Sequence, residues 1–279
     1  MTGTTDTNTL VATSNPSRRL DASAQVAILA VLWFGYAAVR NLVGDTRLTA
    51  LGNASRLLQI ETSLGLDIEE PLQSAITWPA AFVAANSYYL LHFPLTLAVM
   101  VFAFWYSRAT VFPVLRNSLI GSTGVALIAH LAVPMAPPRM LPGFVDAGAA
   151  FGPDPYSIAG SESANQFAAM PSMHVAWAIL SGYTIWQLSS RQVVRSAAVF
   201  HPMLTSVVVV VTGHHFVSDV AIGAAVAIVS ISLAKSNVPF SERATASEGD
   251  VRRSLVGRQP APNSSLRVVE SCRSARLVR

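Results

Sequence analysis

Charged residues are scarce in this sequence. Only 12% of its 279 residues are charged, whereas 52% are hydrophobic. A soluble domain carries about 25% charged residues, so this chain has about half the usual charge available for solvation. Such a composition excludes an intrinsically disordered chain and argues against a soluble globular protein. It predicts an integral membrane protein.

Cysteine is almost absent, since Cys272 is the only one in the chain. A single cysteine excludes an internal disulfide framework and a cysteine-based zinc site. The 16 glycines and 16 prolines follow no period, which excludes a fibrous protein. The net charge is +4, and its distribution along the chain is more informative than its sum.

Long apolar runs are the main feature of the sequence. A membrane-spanning helix needs about 20 mostly apolar residues. Such runs cover residues 24–39, 78–106, 111–133, 171–188, 193–211 and 216–234. We therefore predict an all-α fold, a polytopic bundle of about six transmembrane helices within residues 24–235. Residues 1–23 and the basic segment 236–279 are predicted to be disordered cytoplasmic tails.

Lysine and arginine indicate how the bundle is oriented. They are more numerous on the side that holds both termini, so both termini are predicted to be cytoplasmic. The chain is then a multi-pass protein of the cell membrane, and its short loops favour a bacterial one. Between the first two spans, residues 57–70 alternate apolar and acidic side chains, which predicts an amphipathic segment along the outer interface.

Three segments predicted to face outward contain residues that composition does not explain. The first is the run Pro134-Met135-Ala136-Pro137-Pro138-Arg139 after the third span. The prolines end the helix and leave Arg139 as the only basic residue of that loop. A guanidinium group suits phosphate oxygens, although an arginine at a helix end also reaches lipid headgroups.

The second segment is Met170-Pro171-Ser172-Met173-His174, at the start of the fourth span. It predicts that Ser172, His174 and the free amides of the first helical turn face the outer mouth of the bundle. A helix N-terminus with free amides is an anion site. A lone histidine in such a place is more often structural than catalytic.

The third segment is Thr212-Gly213-His214-His215-Phe216-Val217-Ser218-Asp219, entering the last span. His215 and Asp219 are four residues apart and share a helix face. A carboxylate in a membrane helix indicates a functional site, and we expect Asp219 to fix the tautomer of His215. The other ring nitrogen of His215 is then free to attack.

Two histidines, one aspartate and one arginine at the same membrane face suit phosphoryl transfer through a phosphohistidine. One histidine attacks phosphorus, the second protonates the leaving alkoxide, and arginine and amides stabilise the charge. This chemistry needs no cofactor and no metal. A competing hypothesis is a zinc site made of His174, His214, His215 and Asp219.

The order Pro-Pro-Arg, Pro-Ser-x-His and Gly-x-His-x3-Asp resembles the type 2 phosphatidic acid phosphatase (PAP2) superfamily, over about residues 50–234. The branch that it resembles most is the inositol-phosphoceramide-synthase-like one. The resemblance implies six helices with a site on the non-cytoplasmic face. It also implies that His215 is the nucleophile, Asp219 its orienting acid and His174 the general acid. Phosphate-binding residues would be Arg139, Ser172 and Gly213.

The chain departs from the phosphatase members of that family at three places. It lacks a lysine about seven residues before the Arg-Pro position, has Met173 in place of glycine, and has Val208 and Val209 in place of a Ser-Arg pair. These losses are typical of the synthase-like branch. The resemblance also draws attention to the pattern Asn-x-Tyr-Tyr-x2-His in the second span. Two roles remain open for His92, Tyr89 and His214: binding of the acceptor, or a structural role.

The predicted function is cleavage or transfer of the phospho-headgroup of a lipid phosphate or phospholipid. Water as acceptor gives a phosphatase, and a polar alcohol such as inositol gives a phosphotransferase. No nucleic-acid partner is expected, and membrane lipids are the expected surroundings. Two alternatives remain open at this point: a small membrane transporter and a catalytically idle scaffold of the same family.

Overall fold

The computed structural model describes residues 46–107, 110–159 and 166–236, together with scattered positions between 23 and 34. Within this part the chain is helical, which confirms the predicted all-α class. A 3-10 turn at Pro138–Met140 and an isolated bridge between Met135 and Ala168 complete the regular structure described. The helices are α1 (Arg47–Leu64), α2 (Glu69–Ala75), α3 (Pro79–Tyr106), α4 (Val111–Ala132), α5 (Ala147–Phe151), α6 (Pro155–Ala159), α7 (Met173–Leu188), α8 (Gln192–Val211) and α9 (Val217–Ser236).

Four of these helices, α3, α4, α8 and α9, are long and apolar enough to cross a membrane. Their bounds agree within two residues with the predicted segments 78–106, 111–133, 193–211 and 216–234. The predicted first span, 24–39, falls largely outside the described residues, and so do the two predicted tails. The described part of the chain therefore supports a multi-pass membrane protein and contains four candidate spans of the six predicted.

The predicted fourth span differs from the others. Helix α7 has 16 residues, a length of about 24 Å at about 1.5 Å per residue, whereas a bilayer core is about 30 Å thick. It packs against α3, α4, α8 and α9. Because neighbouring helices enclose it, α7 contacts protein rather than lipid along most of its length and need not match the bilayer.

The outside of the bundle is apolar, as lipid contact requires. Helix α3 has 28 residues, about 42 Å at about 1.5 Å per residue. Large aromatic side chains are exposed at both of its ends, with Trp78 at 74%, Trp105 at 58% and Tyr106 at 73%. Aromatic rings at these heights are typical of the two membrane–water interfaces.

Helices α1 and α2 contain the segment that the sequence predicts to be amphipathic. The segment is helical, but two of its acidic side chains are turned inward: Glu61 and Glu69 are 0% and 1% exposed. Ile60 and Leu64 are instead 55% and 65% exposed. Apolar side chains on the outside suit a helix pair lying at the membrane interface, and the inward carboxylates must find partners inside the protein.

Helix α9 lies against the segment that precedes α7. The amide of Ser172 donates to the carbonyl of Asp219 at 3.1 Å. A Cβ atom at Gly223, one turn further along α9, would overlap the carbonyl oxygen of Ser172. Glycine at this position therefore permits the close approach that brings the starts of α7 and α9 together.

We predict that Gly223→Ala destabilises the protein by about 1–3 kcal/mol, because the added methyl group must push α9 away from Ser172. The measurement is the melting temperature of the purified protein in detergent. The matched control is Gly124→Ala in α4, where a Cβ would meet open space, and alanine there is expected to be neutral or mildly stabilising. Equal melting temperatures of the two variants would contradict the close packing.

Candidate active site

The predicted functional residues come together at one end of the bundle. The end of α4, the start of α7, the end of α8 and the start of α9 meet there, because consecutive helices run in opposite directions. The loop after α4 is tied to the loop before α7 by hydrogen bonds from Met135 to Phe167, at 2.9 Å, and from Ala169 to Met135, at 3.2 Å. This pairing places the Arg139 segment beside the residues that precede His174.

His215 has a closer partner than the one expected. Its Nδ1 lies 2.8 Å from the carbonyl oxygen of Ala169 and 3.5 Å from Oδ2 of Asp219. A carbonyl oxygen only accepts, so Nδ1 carries the hydrogen and donates it. In the neutral ring, Nε2 then holds the lone pair. The sequence predicts this tautomer, but through Asp219 alone.

Asp219 is fully buried and also caps its own helix. Its Oδ2 accepts the amide of Phe216 at 2.9 Å, while its Oδ1 has no hydrogen-bond partner among the described residues. The carboxylate is thus held by the start of α9 at a fixed distance from His215.

His174 occupies the first turn of α7 and is 7% exposed. Its ring centroid lies 5.8 Å from that of His215 and 4.0 Å from that of Tyr89, with which it stacks. Its Nε2 has no hydrogen-bond partner in the described part of the chain. The two histidines therefore face each other across the site.

Ser172 is the N-cap of α7, and its hydroxyl accepts the amide of Val175 at 3.5 Å. The amides of Met173 and His174 belong to the first turn and have no acceptor within the helix. The start of α7 thus keeps donors available next to the histidines, as an anion site requires. Ser172 itself is fully buried.

Arg139 already has partners in this structure. Its Nη1 donates to Oδ2 of Asp146 at 2.7 Å, its Nη2 donates to Gln166 at 3.3 Å, and its guanidinium lies 4.2 Å from the ring of Tyr156. Its Nε has no partner among the described residues. A phosphate that binds Arg139 must therefore share the guanidinium with Asp146 or displace it.

Gly213 holds the Arg139 segment against the end of α8. Its carbonyl accepts the amide of Arg139 at 2.9 Å, and its φ is +72°, a value that disfavours side chains with a Cβ. A Cβ there would lie 3.0 Å from Cβ of Arg139 and 3.3 Å from the carbonyl oxygen of Val145. Glycine satisfies both the turn and the contact.

His214 lines the site beside its neighbour His215. Its Nδ1 lies 3.1 Å from the carbonyl oxygen of Thr212, so Nδ1 donates, and its ring is 4.1 Å from that of Tyr89. Burial and the nearby charge of Arg139 together lower the pKa of His214 to about 3. His214 is therefore neutral at physiological pH.

His92 lies one layer deeper, 1% exposed, with no hydrogen-bond partner for either ring nitrogen among the described residues. Its ring is 5.1 Å from His174 and 5.9 Å from His201. His201 in turn bonds the hydroxyl of Tyr88 at 2.6 Å. The structure thus places the ring of His92 behind that of His174.

The structure brings together every site residue that the sequence predicts, and it adds others. Asp146, Tyr156, Gln166 and the carbonyl of Ala169 contact the predicted residues, and no motif in the sequence pointed to them. In the part of the chain described, no group of three or more His, Cys, Asp or Glu side chains could hold a metal ion. The geometry therefore gives no support to the zinc hypothesis.

Two histidines, an aspartate and an arginine thus lie at one end of a helical membrane bundle. A family model described as the PAP2 superfamily matches residues 55–233. The chain belongs to the PAP2 superfamily. Membership indicates phosphatase or phosphotransferase activity on phosphoesters. No curated protein and no solved structure matches the chain.

We predict that Gly213→Ala destabilises the protein by more than positive φ alone explains. A residue with a Cβ in the left-handed region costs about 1–2 kcal/mol, and the contact with Arg139 adds an overpacking cost of about 1–3 kcal/mol. Gly65→Ala is the matched control, since Gly65 has φ +67° and open space around it. Thermal unfolding of both variants measures the difference, and equal losses would show that the contact is unimportant.

Proposed function

We propose that this chain is a membrane enzyme that cleaves or transfers the phospho-headgroup of a lipid-linked phosphoester through a phosphohistidine on His215. The observation that carries the proposal is the hydrogen bond from Nδ1 of His215 to the carbonyl of Ala169. It leaves the lone pair on Nε2, beside His174 and near Arg139. A nucleophile, an acid and a cation for phosphate are then in one place.

The proposed reaction has two steps. In the first, Nε2 of His215 forms a bond to phosphorus, the bond from phosphorus to the leaving oxygen breaks, and protonated His174 gives its proton to that oxygen. In the second, the oxygen of water or of an alcohol attacks phosphorus, His174 takes the proton back, and the bond to Nε2 breaks. Asp219 stabilises the positive charge that develops on His215.

Arg139, Ser172 and the free amides at the start of α7 are proposed to bind the phosphate oxygens. The negative charge of bound phosphate also stabilises the protonated form of His174, which the first step requires. The carbonyl of Gly213 positions the backbone of Arg139, so Gly213 acts on phosphate through that residue. His214 and Tyr89 pack beside the histidines and keep their rings in place.

A lipid leaving group is favoured by the surroundings of His174. The ring of Phe93 lies 4.9 Å from His174 and 5.3 Å from Trp177, and Phe93 is 44% exposed on the apolar outside of the bundle. His174 thus has an apolar wall open toward the bilayer on one side. The group that protonates the leaving oxygen is then the group nearest the lipid.

The lost basic residues at Val208 and Val209 support the inositolphosphotransferase-like branch, with a polar alcohol such as inositol as acceptor. Positive-inside counting supports a site on the outer face of the cell membrane, with both termini in the cytoplasm.

The experiment is a product analysis with purified protein. Phosphatidic acid and an inositol phospholipid are each incubated with and without free inositol, and His215→Asn serves as the blank. Asparagine can still donate to the carbonyl of Ala169 but has no nucleophilic nitrogen, so it should fold normally and lose turnover by about 10⁴-fold or more. Wild-type turnover no higher than this blank on every substrate would contradict the proposed activity and favour a transporter or an idle scaffold.

The products distinguish the two forms of the activity. Free phosphate that appears regardless of inositol identifies a phosphatase. A new lipid that forms only with inositol identifies a phosphotransferase and supports the synthase-like branch.

The role of His174 predicts a dependence on the leaving group. With alkyl phosphates, His174→Gln should lower the rate of the first step by about 10²–10⁴-fold, because an alkoxide needs a proton to leave. With p-nitrophenyl phosphate the loss should be much smaller, since that leaving group is stable without a proton. The rate of product burst measures the first step, and equal losses with both substrates would contradict the assignment.

A further inference from the structure

Three carboxylates accept hydrogen bonds from three successive backbone amides at the start of α9. These amides have no acceptor within the helix and form the positive end of its dipole. Two of the carboxylates come from α1 and α2, which the proposed mechanism does not use. The pairs are Asp219 with the amide of Phe216 at 2.9 Å, Glu69 with Val217 at 2.7 Å, and Glu61 with Ser218 at 2.8 Å.

All three carboxylates are buried. Glu61 and Asp219 are 0% exposed and Glu69 is 1% exposed. One oxygen of each has no hydrogen-bond partner in the described part of the chain, and the charge of Arg139 is already paired with Asp146. A helix N-terminus supplies only about half a positive charge. Three full negative charges at this point would therefore be costly.

One proton shared between two of the carboxyl groups relieves that cost. Glu61 and Glu69 accept the amides of the neighbouring residues Ser218 and Val217, and each keeps one oxygen without a partner among the described residues, so the two carboxyl groups lie side by side. Two ionised carboxylates cannot bond each other, because neither has a hydrogen to donate. A proton on Glu61 supplies that donor. Burial and the neighbouring charge of Glu69 raise the pKa of Glu61 from its ordinary 4.5 to about 7, although the hydrogen bonds from Ser218 oppose the shift.

We propose that Glu61 and Glu69 are a proton-sharing pair that positions His215 by fixing the start of α9. The positioning role rests on the proposed function, whereas the shared proton does not. Phe216, next to His215, is fully buried and packs with Ala50 and Ala54 of α1. Helices α1 and α2 thus contact the three residues that directly follow the proposed nucleophile, and these contacts hold the start of α9 in place.

The contribution of the Glu61–Glu69 pair to folding stability depends on pH in a defined direction. Among the described residues, the titratable group that acts on Glu61 is Glu69 on α2, and its partner on the α9 side is Ser218, which does not titrate. Because the pKa of Glu61 is raised in the folded state, the folded protein binds more protons than the unfolded chain between about pH 4.5 and 7. Stability from this group is complete below that window, falls as the pH rises through it, and stays low above it.

The first test is the melting temperature of the full chain in detergent as a function of pH. The wild type should lose several degrees between about pH 5 and pH 7. Glu61→Gln should remove most of that decline, because glutamine cannot ionise, still accepts the amide of Ser218 and donates to Glu69. Glu70→Gln is the matched control: Glu70 is an exposed acid in α2, so this variant should keep the wild-type slope.

A second test separates positioning from stability. Glu61→Ala removes the acceptor for Ser218, so His215 should react faster with diethyl pyrocarbonate, read by mass spectrometry of the peptide that contains it. In the same variant kcat should fall about 10–100-fold with little change in KM. Glu61→Gln should restore both readouts and should also keep kcat from declining above about pH 7.

The outcomes distinguish this proposal from the proposed function. Wild type and Glu61→Gln with the same dependence of melting temperature on pH would overturn the shared proton. Unchanged reactivity of His215 in Glu61→Ala would overturn the positioning role. Neither readout requires turnover, so both remain decisive if the product analysis finds no activity.

Discussion

The contact between Nδ1 of His215 and the carbonyl of Ala169, at 2.8 Å, is the interaction on which the rest of the site depends. A carbonyl can only accept a hydrogen bond, so the contact determines which nitrogen of the ring is free. To make it, the loop before α7 must lie against the turn between α8 and α9. Gly223, the Ser172–Asp219 hydrogen bond and the bridge at Met135 serve that approach.

A polar group buried in a membrane protein must find its hydrogen-bond partner within the protein, since lipid supplies none. Gln73 illustrates how this protein meets the demand. Its amide donates to the carbonyls of Val145 and Val211 at 2.8 and 3.2 Å, and its oxygen accepts the amide of Val145 at 2.7 Å. Asn86 similarly joins α3 to α5. The short helices over the site are thus tied to the spanning ones by buried polar side chains rather than by apolar packing alone.

Several of the buried polar atoms without a partner among the described residues lie where chemistry is proposed. Nε2 of His174, Oδ1 of Asp219 and Nε of Arg139 all lack partners among the described residues. Unsatisfied buried groups are costly for stability, and they cluster at functional sites because a substrate completes them. Glu61 and Glu69 also have one unpaired oxygen each among the described residues. They lie one layer away from the histidines, which suits a supporting pair better than a second substrate site.

Much of the fold was predictable because lipid imposes a simple rule on sequence. A span must be long and apolar, so α3, α4, α8 and α9 could be located within two residues. Helix α7 was predicted as a further span and is shorter, because a helix enclosed by protein is freed from that rule. Clustering of Arg139, His174 and His215 was also predictable, since helices of alternating direction bring those loops to one end.

The sequence by itself determined the membrane class, the long helices and the candidate site residues, because these depend on local composition and short motifs. The tertiary structure decided which partner each residue has. Ala169 precedes His215 by 46 residues, and Glu69 and Glu61 lie 148 and 157 residues from the amides they accept. No local sequence pattern indicates such pairs. In the sequence, a glutamate that faces inward from an amphipathic segment cannot be told from a solvated one. Only packing distinguishes them, because burial and distance are properties of the folded chain.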